Sequence, residues 1–163
     1  MIFKPSTVSC LWDTWLYFHE GKHYLFYLHN SRLDARWDGI GVAVSDDGVH
    51  FADHGSIIQK ADDAIWLGSG MVWRVGDKFL INFSENRNHV QTVHFAESDD
   101  LLHWQRLPDI EYVCRSDPRW YAEQPTLSPH RWDAIWVLPR EDTPGYVGFV
   151  TAVAREGPAG LCG

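Results

Sequence analysis

The stretches VAVSDDGVHF (42–51) and FAESDDLLHW (95–104) share the pattern Ser-Asp-Asp-x-x-His-aromatic, and this recurrence is the main indication of the fold. The pattern begins at Ser45 and again at Ser98, so it repeats after 98 − 45 = 53 residues. Self-similarity at such a period indicates a repeat architecture in which each repeat is one supersecondary unit. We expect both Ser-Asp-Asp segments to form turns, because serine and aspartate side chains bond the nearby backbone.

A second pair of similar segments precedes the two copies of this pattern. These are EGKHYLFYL (20–28) and VGDKFLINF (75–83), whose glycines are displaced by 76 − 21 = 55 residues. In each segment a short polar turn joins two runs rich in aromatic and β-branched residues, which is typical of a β-hairpin. No apolar stretch keeps a period of 3.6 residues over three turns, so the sequence predicts strands rather than helices.

Each unit therefore holds four predicted antiparallel strands in about 50 residues, which is typical of a β-propeller blade. We predict an all-β fold with a single partial propeller domain over residues 1–163. Blade 1 is expected at about 8–54, blade 2 at about 64–108 and part of a third blade at about 121–163. The sequence ends before the third unit has a fourth strand, so we expect the N-terminal part of a larger propeller.

Composition and charge argue against several classes of protein. The formal net charge is −8, so the chain lacks the overall basic balance that nucleic-acid binding needs. No apolar run approaches the roughly 20 residues of a membrane span, and the N-terminal sequence does not resemble a signal peptide. The three cysteines lack metal-ligand spacing, so we expect reduced thiols in a cytoplasmic protein.

The histidines do not predict a metal centre. His19, His23 and His29 fall along the first predicted hairpin at spacings of four and six residues. These spacings in strands and a turn do not match a recognised ligand set. We therefore expect neither a metal nor any other cofactor.

Two aspartates stand directly after a tryptophan at the start of a predicted inner strand. They are Asp13, in LWDTWLY, and Asp133, in RWDAIWV, and they are 133 − 13 = 120 residues apart. Both could be structural, with their oxygens bonded by backbone N–H groups at the strand entry. The inner strands of a propeller line its central channel, so the two carboxylates could instead converge on one site.

Aromatic side chains are expected around these carboxylates. The chain has nine tryptophans, and Trp12, Trp66 and Trp132 lie at the predicted starts of the three inner strands. Flat aromatic faces are common in cores, and they also suit stacking on sugar rings. Carboxylates beside such faces fit glycosidic cleavage, because an oxocarbenium-like transition state needs negative charge nearby.

The first unit, LWDTWLYFHEGKHYLFYLH, resembles the opening blade of the invertase and arabinanase superfamily. These proteins are five-bladed propellers and include glycoside hydrolase families 32, 43, 62 and 68. The resemblance implies that Asp13 is the nucleophile, as in family 32, or the general base, as in family 43. The second unit, WLGSGMVWRVGDKFLINFSE, resembles the second blade of family 32. There a Ser-Gly-Ser-like turn leads into a sugar-contacting strand, and Gly68-Ser69-Gly70 matches that turn in part.

The third unit, RWDAIWV, resembles the Arg-Asp-Pro segment that supplies the transition-state-stabilising aspartate of these families. The resemblance assigns that role to Asp133 and makes Arg131 a possible donor to sugar hydroxyls. Trp132 separates the arginine from the aspartate here, and Ala134 replaces the proline.

The general acid of these families is a glutamate that follows the stabilising aspartate in a later blade. Glu123, in Glu-Gln-Pro, resembles the acid motif but precedes Asp133 in the chain. Glu141 in a predicted hairpin turn and Glu156 near the end of the sequence are the other candidates.

The resemblance implies a glycoside hydrolase or transglycosidase that acts on an oligosaccharide or polysaccharide through channel carboxylates. An alternative is a carbohydrate-binding or self-assembling propeller fragment without catalysis. Self-association is an option because a partial propeller leaves the edge of a blade exposed.

Overall fold

The computed structural model describes residues 3–6, 8–121 and 131–154, together with the backbone of 161–162. The described residues form three antiparallel sheets that follow one another along the chain. This arrangement confirms the predicted all-β fold of propeller blades. We call the sheets blade 1, blade 2 and blade 3.

Each blade runs in chain order from its first strand to its last. Blade 1 contains β1 (Cys10–His19), β2 (Lys22–Asn30), β3 (Gly39–Ser45) and β4 (Ala52–Gln59). Blade 2 contains β5 (Trp66–Val75), β6 (Lys78–Arg87), β7 (Val90–Ser98) and β8 (Trp104–Arg106). Blade 3 contains β9 (Trp132–Pro139), β10 (Tyr146–Val153) and β11 (Leu161–Cys162). A single turn of helix, α1 (Asp109–Tyr112), follows blade 2.

Tight turns join the first two strands of blades 1 and 2, as the sequence predicts. His19 pairs with Lys22, so Glu20 and Gly21 form a two-residue loop in which both residues have positive φ, at 47° and 77°. This is the backbone of a type I′ turn, whose twist matches that of the flanking strands. The equivalent loop in blade 2 has Gly76 at φ 60° as its first residue.

The Ser-Asp-Asp segments are structural turns, as expected. Asp47 accepts hydrogen bonds from the amides of Val49 and His50 at 2.9 and 2.8 Å and from the His50 ring at 2.7 Å. Asp100 makes the same three bonds with Leu102 and His103. The bonds from His50 hold the pKa of the Asp47 carboxyl well below its usual range.

The last strand of blade 1 is longer than the sequence indicates. β4 continues to Gln59, past the boundary expected near residue 54. Asp53, His54 and Gly55 have turn-forming composition, but Gly55 adopts φ 80° within β4, where the pairing with β3 is irregular. A glycine can take this conformation without steric cost, so the strand continues through it.

Two hydrophobic clusters hold neighbouring blades together. The larger cluster joins blade 1 to blade 2 and includes Phe26, Ile40, Leu67 and Phe83. A smaller cluster of Val93, Trp132 and Ala152 joins blade 2 to blade 3. The core therefore lies between the sheets rather than within any one of them.

A fully buried carboxylate ties blade 2 to the connector that follows blade 1. Glu85 on β6 pairs with both terminal nitrogens of Arg106, at 2.8 and 2.9 Å, and with Arg87 at 2.7 Å. It also accepts a hydrogen bond from the Ala61 amide at 2.8 Å. Burial alone would raise the pKa of Glu85, but these donors outweigh it and lower the pKa to about 2.

Blade 3 leaves apolar side chains open to solvent. The most exposed large ones on β9 and β10 are Trp136, Leu138, Tyr146, Val147 and Phe149, each at least 43% exposed. Within the described ranges, no helix has the length and apolar character of a membrane span.

We predict that Glu85→Gln lowers the free energy of unfolding by about 3 kcal/mol, because it breaks buried ion pairs and turns an amide toward two guanidinium groups. Chemical denaturation should measure the loss. Glu20→Gln is the matched control, since that side chain is 83% exposed in a hairpin turn. The control should change stability by less than about 0.5 kcal/mol. Equal effects of the two variants would contradict a stabilising role for the ion pairs of Glu85.

The stabilisation from Glu85 should also depend on pH. The folded-state pKa of about 2 lies below the ordinary 4.5, so the unfolded state binds more protons in acid. The contribution is therefore fully present above pH 4.5 and is lost as the pH falls toward 2. We expect the stability difference between wild type and Glu85→Gln to shrink over this interval, and a constant difference would refute the prediction.

Candidate active site

The inner strand of every blade carries an irregularity at a similar point. In β1, Trp12 and Asp13 lie between the pairs Leu11–His29 and Thr14–Tyr27, so two residues oppose one. In β5, residues 68 and 69 lie in the same way opposite one residue of β6. In β9, Ala134 is the extra residue and has φ 25°. Such bulges redirect side chains and are common beside active sites.

These bulges line one pocket with a volume of about 220 Å³. All three blades contribute to it, together with the loop between β2 and β3. The lining residues are Trp12, Asp13, Leu28, Arg36, Trp37, Trp66, Gly68, Ser69, Gln91, Arg131 and Asp133. The structure thus brings together the two aspartates, Trp12, Trp66, Ser69 and Arg131, all of which were predicted from sequence as site residues.

Asp13 faces the pocket, and its carboxylate accepts one hydrogen bond from the described part of the chain. The hydroxyl of Ser69 donates to its Oδ2 at 3.1 Å, which links the bulges of β1 and β5. No other hydrogen bond or ion pair to Asp13 occurs within the described part of the chain. Its remaining acceptor capacity is therefore available to solvent or to a ligand.

Asp133 is held more firmly than Asp13. Its Oδ1 accepts a 2.6 Å hydrogen bond from Ser84, and its Oδ2 pairs with Arg131 at 2.9 Å. The Gln91 side chain donates to the Ser84 hydroxyl at 2.9 Å, so a chain of buried polar groups leads from β7 to this carboxylate. Ser84 and Gln91 were not predicted from sequence, because nothing in the local pattern shows that β6 and β7 approach β9.

One wall of the pocket is aromatic. The Trp12 and Trp37 ring centroids are 5.5 Å apart, and those of Trp37 and Trp66 are 5.9 Å apart with nearly perpendicular planes. The Arg36 guanidinium lies over the Trp37 ring at 5.4 Å from its centroid. Sequence reasoning missed Arg36 and Trp37. The available signal was the tripeptide Arg-Trp-Asp at 36–38, which recurs at 131–133.

One predicted site residue among those described, Trp132, lies away from the pocket. Trp132 is only 6% exposed, packs against Tyr121 with 4.9 Å between ring centroids, and donates its indole N–H to the Cys114 carbonyl at 3.1 Å. Since side chains alternate along a strand, the residue before Asp133 points away from the pocket into the core. Its expected stacking on a sugar is therefore incompatible with this placement. Glu123 lies outside the described residues, and Glu141 is exposed in the turn before β10.

The described acids of the pocket are not part of a group that could hold a metal ion. Among the described residues, no group of three or more His, Cys, Asp or Glu side chains could hold a metal ion. The lining offers two carboxylates, two guanidinium groups, a hydroxyl and three tryptophans. This combination suits a polar ligand with one apolar face, because carboxylates accept hydrogen bonds from hydroxyls while the rings pack against C–H groups.

Solved structures of glycosidases have the same fold. The Bombyx mori GH32 beta-fructofuranosidase BmSUC1 aligns with a TM-score of 0.65 at 17% identity over 94% of this chain, and a mutant of it in complex with sucrose aligns equally well. CoXyl43, a GH43 beta-xylosidase/alpha-arabinofuranosidase from a compost microbial metagenome in complex with xylotriose, aligns with a TM-score of 0.54 at 14% identity over 88% of this chain.

The chain is shorter than these enzymes. It spans 32% of the length of the fructofuranosidase chains and 44% of the xylosidase chain. A sequence comparison with curated proteins found no match. The model of the glycosyl hydrolases family 32 N-terminal domain, however, matches residues 14–124. This match covers more than half of the sequence, so the chain belongs to the glycosyl hydrolase family 32 N-terminal domain family.

Proposed function

We propose that this chain supplies the carboxylate-bearing part of a glycoside hydrolase or transglycosidase active site. The observation that carries the proposal is that Asp13 and Asp133, from blades 1 and 3, line the same tryptophan-walled pocket. Asp13 would act as nucleophile or general base, and Asp133 would stabilise the positive charge that develops on the sugar ring.

The difference between the two carboxylates supports these roles. Asp133 has a side chain only 15% exposed and is held by Ser84 and Arg131. A fixed carboxylate suits electrostatic stabilisation, because it needs no reorganisation as charge develops. Asp13 has only the Ser69 hydroxyl as a described donor, so its free oxygen positions can approach a sugar carbon or a water molecule.

A general acid completes such a site. Of the described residues that line the pocket, Asp13 and Asp133 are the only acids, so the acid would come from outside this set. Glu123 stays a prediction for this role, and a glutamate from another part of a longer chain is the alternative. A cytoplasmic location and self-association likewise stay predictions.

A carbohydrate-binding module without catalysis is the second candidate. The aromatic wall of Trp12, Trp37 and Trp66 favours it, since stacking on a sugar needs no acid. The sugars held by the similar structures, sucrose and xylotriose, are the first ligands to test with this chain.

We predict that Asp13→Asn lowers hydrolysis of the accepted glycoside by a factor of about 10² to 10⁴, because the amide can neither attack nor accept a proton. Binding of the same sugar, measured by titration calorimetry, should change little. Asp77→Asn, at an exposed residue of the β5–β6 turn, is the matched control and should retain full activity. Unchanged hydrolysis by Asp13→Asn would overturn the catalytic role, and sugar binding by an inactive wild type would favour the module.

The position of Asp133 also requires a glycine in the neighbouring blade. A Cβ atom at Gly68 would lie 2.3 Å from the Ser84 hydroxyl oxygen and 3.0 Å from Asp133 Oδ1. The first distance is far below any normal contact, so Ser84 would have to move and give up its bond to Asp133. Gly68 is therefore needed for the close approach of β5, β6 and β9.

We predict that Gly68→Ala costs about 1–3 kcal/mol of stability through overpacking and also reduces hydrolysis. Ser84→Ala removes the atom that the new methyl group would meet. Gly68→Ala should therefore be less harmful in the Ser84→Ala background, with a coupling of about 1 kcal/mol in a double-mutant cycle of unfolding free energies. Strictly additive effects would rule out this contact as the cause.

A further inference from the structure

The loop between β2 and β3 holds a charged side chain against the pocket. Its backbone is fixed on both sides of Arg36, because the Asn30 side chain donates to the Ala35 carbonyl at 2.7 Å and accepts from the Trp37 amide at 3.0 Å. The Trp37 carbonyl also accepts a 2.8 Å hydrogen bond from Leu67 in blade 2. Arg36 therefore extends from a fixed segment.

Aromatic rings hold the Arg36 guanidinium in place. Its central carbon lies 5.4 Å from the centroid of the Trp37 ring and 6.0 Å from that of the Trp66 ring. Cation–π attraction at such distances orients the guanidinium over the ring faces. The hydrogen atoms at the edge of its plane remain available as donors.

Arg36 differs from the other arginine of the pocket in its pairing. Arg131 is neutralised by Asp133 at 2.9 Å. Within the described part of the chain, Arg36 has neither a hydrogen bond nor a carboxylate within ion-pair distance. Its guanidinium makes cation–π contacts with Trp37 and Trp66. The pocket thus has carboxylates on the strand bulges and an uncompensated cation on its aromatic wall.

We propose that Arg36 binds an anionic substituent, a carboxylate or a phosphate, on a sugar that stacks against the tryptophans. This inference rests on the proposed function and adds to it a substrate class, the acidic glycosides. The planar guanidinium matches the geometry of both oxyanions through paired hydrogen bonds. The formal net charge of −8 disfavours the approach of anions to the molecule as a whole. An acidic group therefore needs a local cation such as Arg36 to bind in the pocket.

The position of the anion within the pocket also follows from the charges. An oxyanion beside Asp13 would be repelled, whereas one beside Arg36 is attracted. Neither aspartate is within ion-pair distance of Arg36 in the described structure. The acidic group therefore belongs on the sugar unit at the tryptophan wall, with the bond to be cleaved nearer the strand bulges.

The test compares glucose, glucuronate, glucose 6-phosphate and inorganic phosphate at constant ionic strength. Binding to the whole chain is followed through the indole N–H signals of Trp12, Trp37 and Trp66, with Trp104 as a reference outside the pocket. We expect glucuronate or glucose 6-phosphate to bind at least about tenfold more tightly than glucose, the effect of one charge-assisted hydrogen bond. The better of the two identifies the source of the oxyanion.

Two variants show whether Arg36 causes the preference. Arg36→Gln should bind the acidic sugars no more tightly than glucose. Arg32→Gln is the matched control, because Arg32 lies in the same loop, is exposed, pairs with Asp34 and does not line the pocket. It should retain the preference of the wild type.

Several results would overturn the inference. If glucose binds as tightly as the acidic sugars, Arg36 does not select an anion, although the proposed function stands. If Arg36→Gln weakens the binding of neutral and acidic sugars equally, Arg36 donates to sugar hydroxyls and does not select an anion. Inorganic phosphate binding as tightly as glucose 6-phosphate would mean an anion site without sugar recognition. If none of the sugars shifts the pocket signals and no glycoside is hydrolysed, both this inference and the proposed function fail.

Discussion

At the pocket, the inner strands of blades 1 and 2 place two residues opposite one, and this geometry allows side chains from separate sheets to converge. A regular strand would alternate its side chains between the two faces, and a bulge changes where they point. Beside the bulge of blade 2, β5 and β6 also approach closely, and a glycine permits it. A Cβ atom at Gly70 would lie only 1.6 Å from the Asn82 carbonyl oxygen. The Asn82 side chain in turn bonds the Ile135 amide at 3.0 Å and the Ile135 carbonyl at 2.8 Å, which anchors β9 beside its bulge.

The described carboxylates differ in the number of donors around them, and that number determines how much acceptor capacity each keeps for a ligand. Asp47 accepts from two amides and a histidine ring, and Glu85 from two arginines and an amide. In both cases the donors lower the pKa of the carboxyl, against the burial that would raise it in Glu85. Carboxylates saturated in this way cannot accept a further bond from a ligand without losing one. Asp13, with the Ser69 hydroxyl as its described donor, keeps that capacity.

The sequence was sufficient to predict the repeat and the hairpins, because these depend on local turn chemistry and on an internal period. It was insufficient where long-range packing decides. Trp132 looks equivalent to Trp12, yet Trp12 is 57% exposed at the pocket and Trp132 is buried between blades. The two bulges differ, since β1 has Trp12 and Asp13 between its regular pairs whereas β9 has Ala134, one position later relative to its tryptophan. The burial of Glu85 has no sufficient local signal either, because Arg87 is its neighbour on β6 but Ala61 and Arg106 come from two other segments of the chain.

The pocket takes its side chains both from paired strands and from a loop. The carboxylates stand on β1 and β9, where paired backbones limit their movement, and Arg36 and Trp37 stand on a connection, where substitutions disturb the sheets least. That loop is nevertheless bonded to β5 through the Trp37 carbonyl, so its position depends on the packing of blade 1 against blade 2. Asp133 depends in the same way on the packing of blade 3 against blade 2, through Ser84. Since no single blade contains the site, the interfaces between blades determine the geometry of the pocket as well as the stability of the fold.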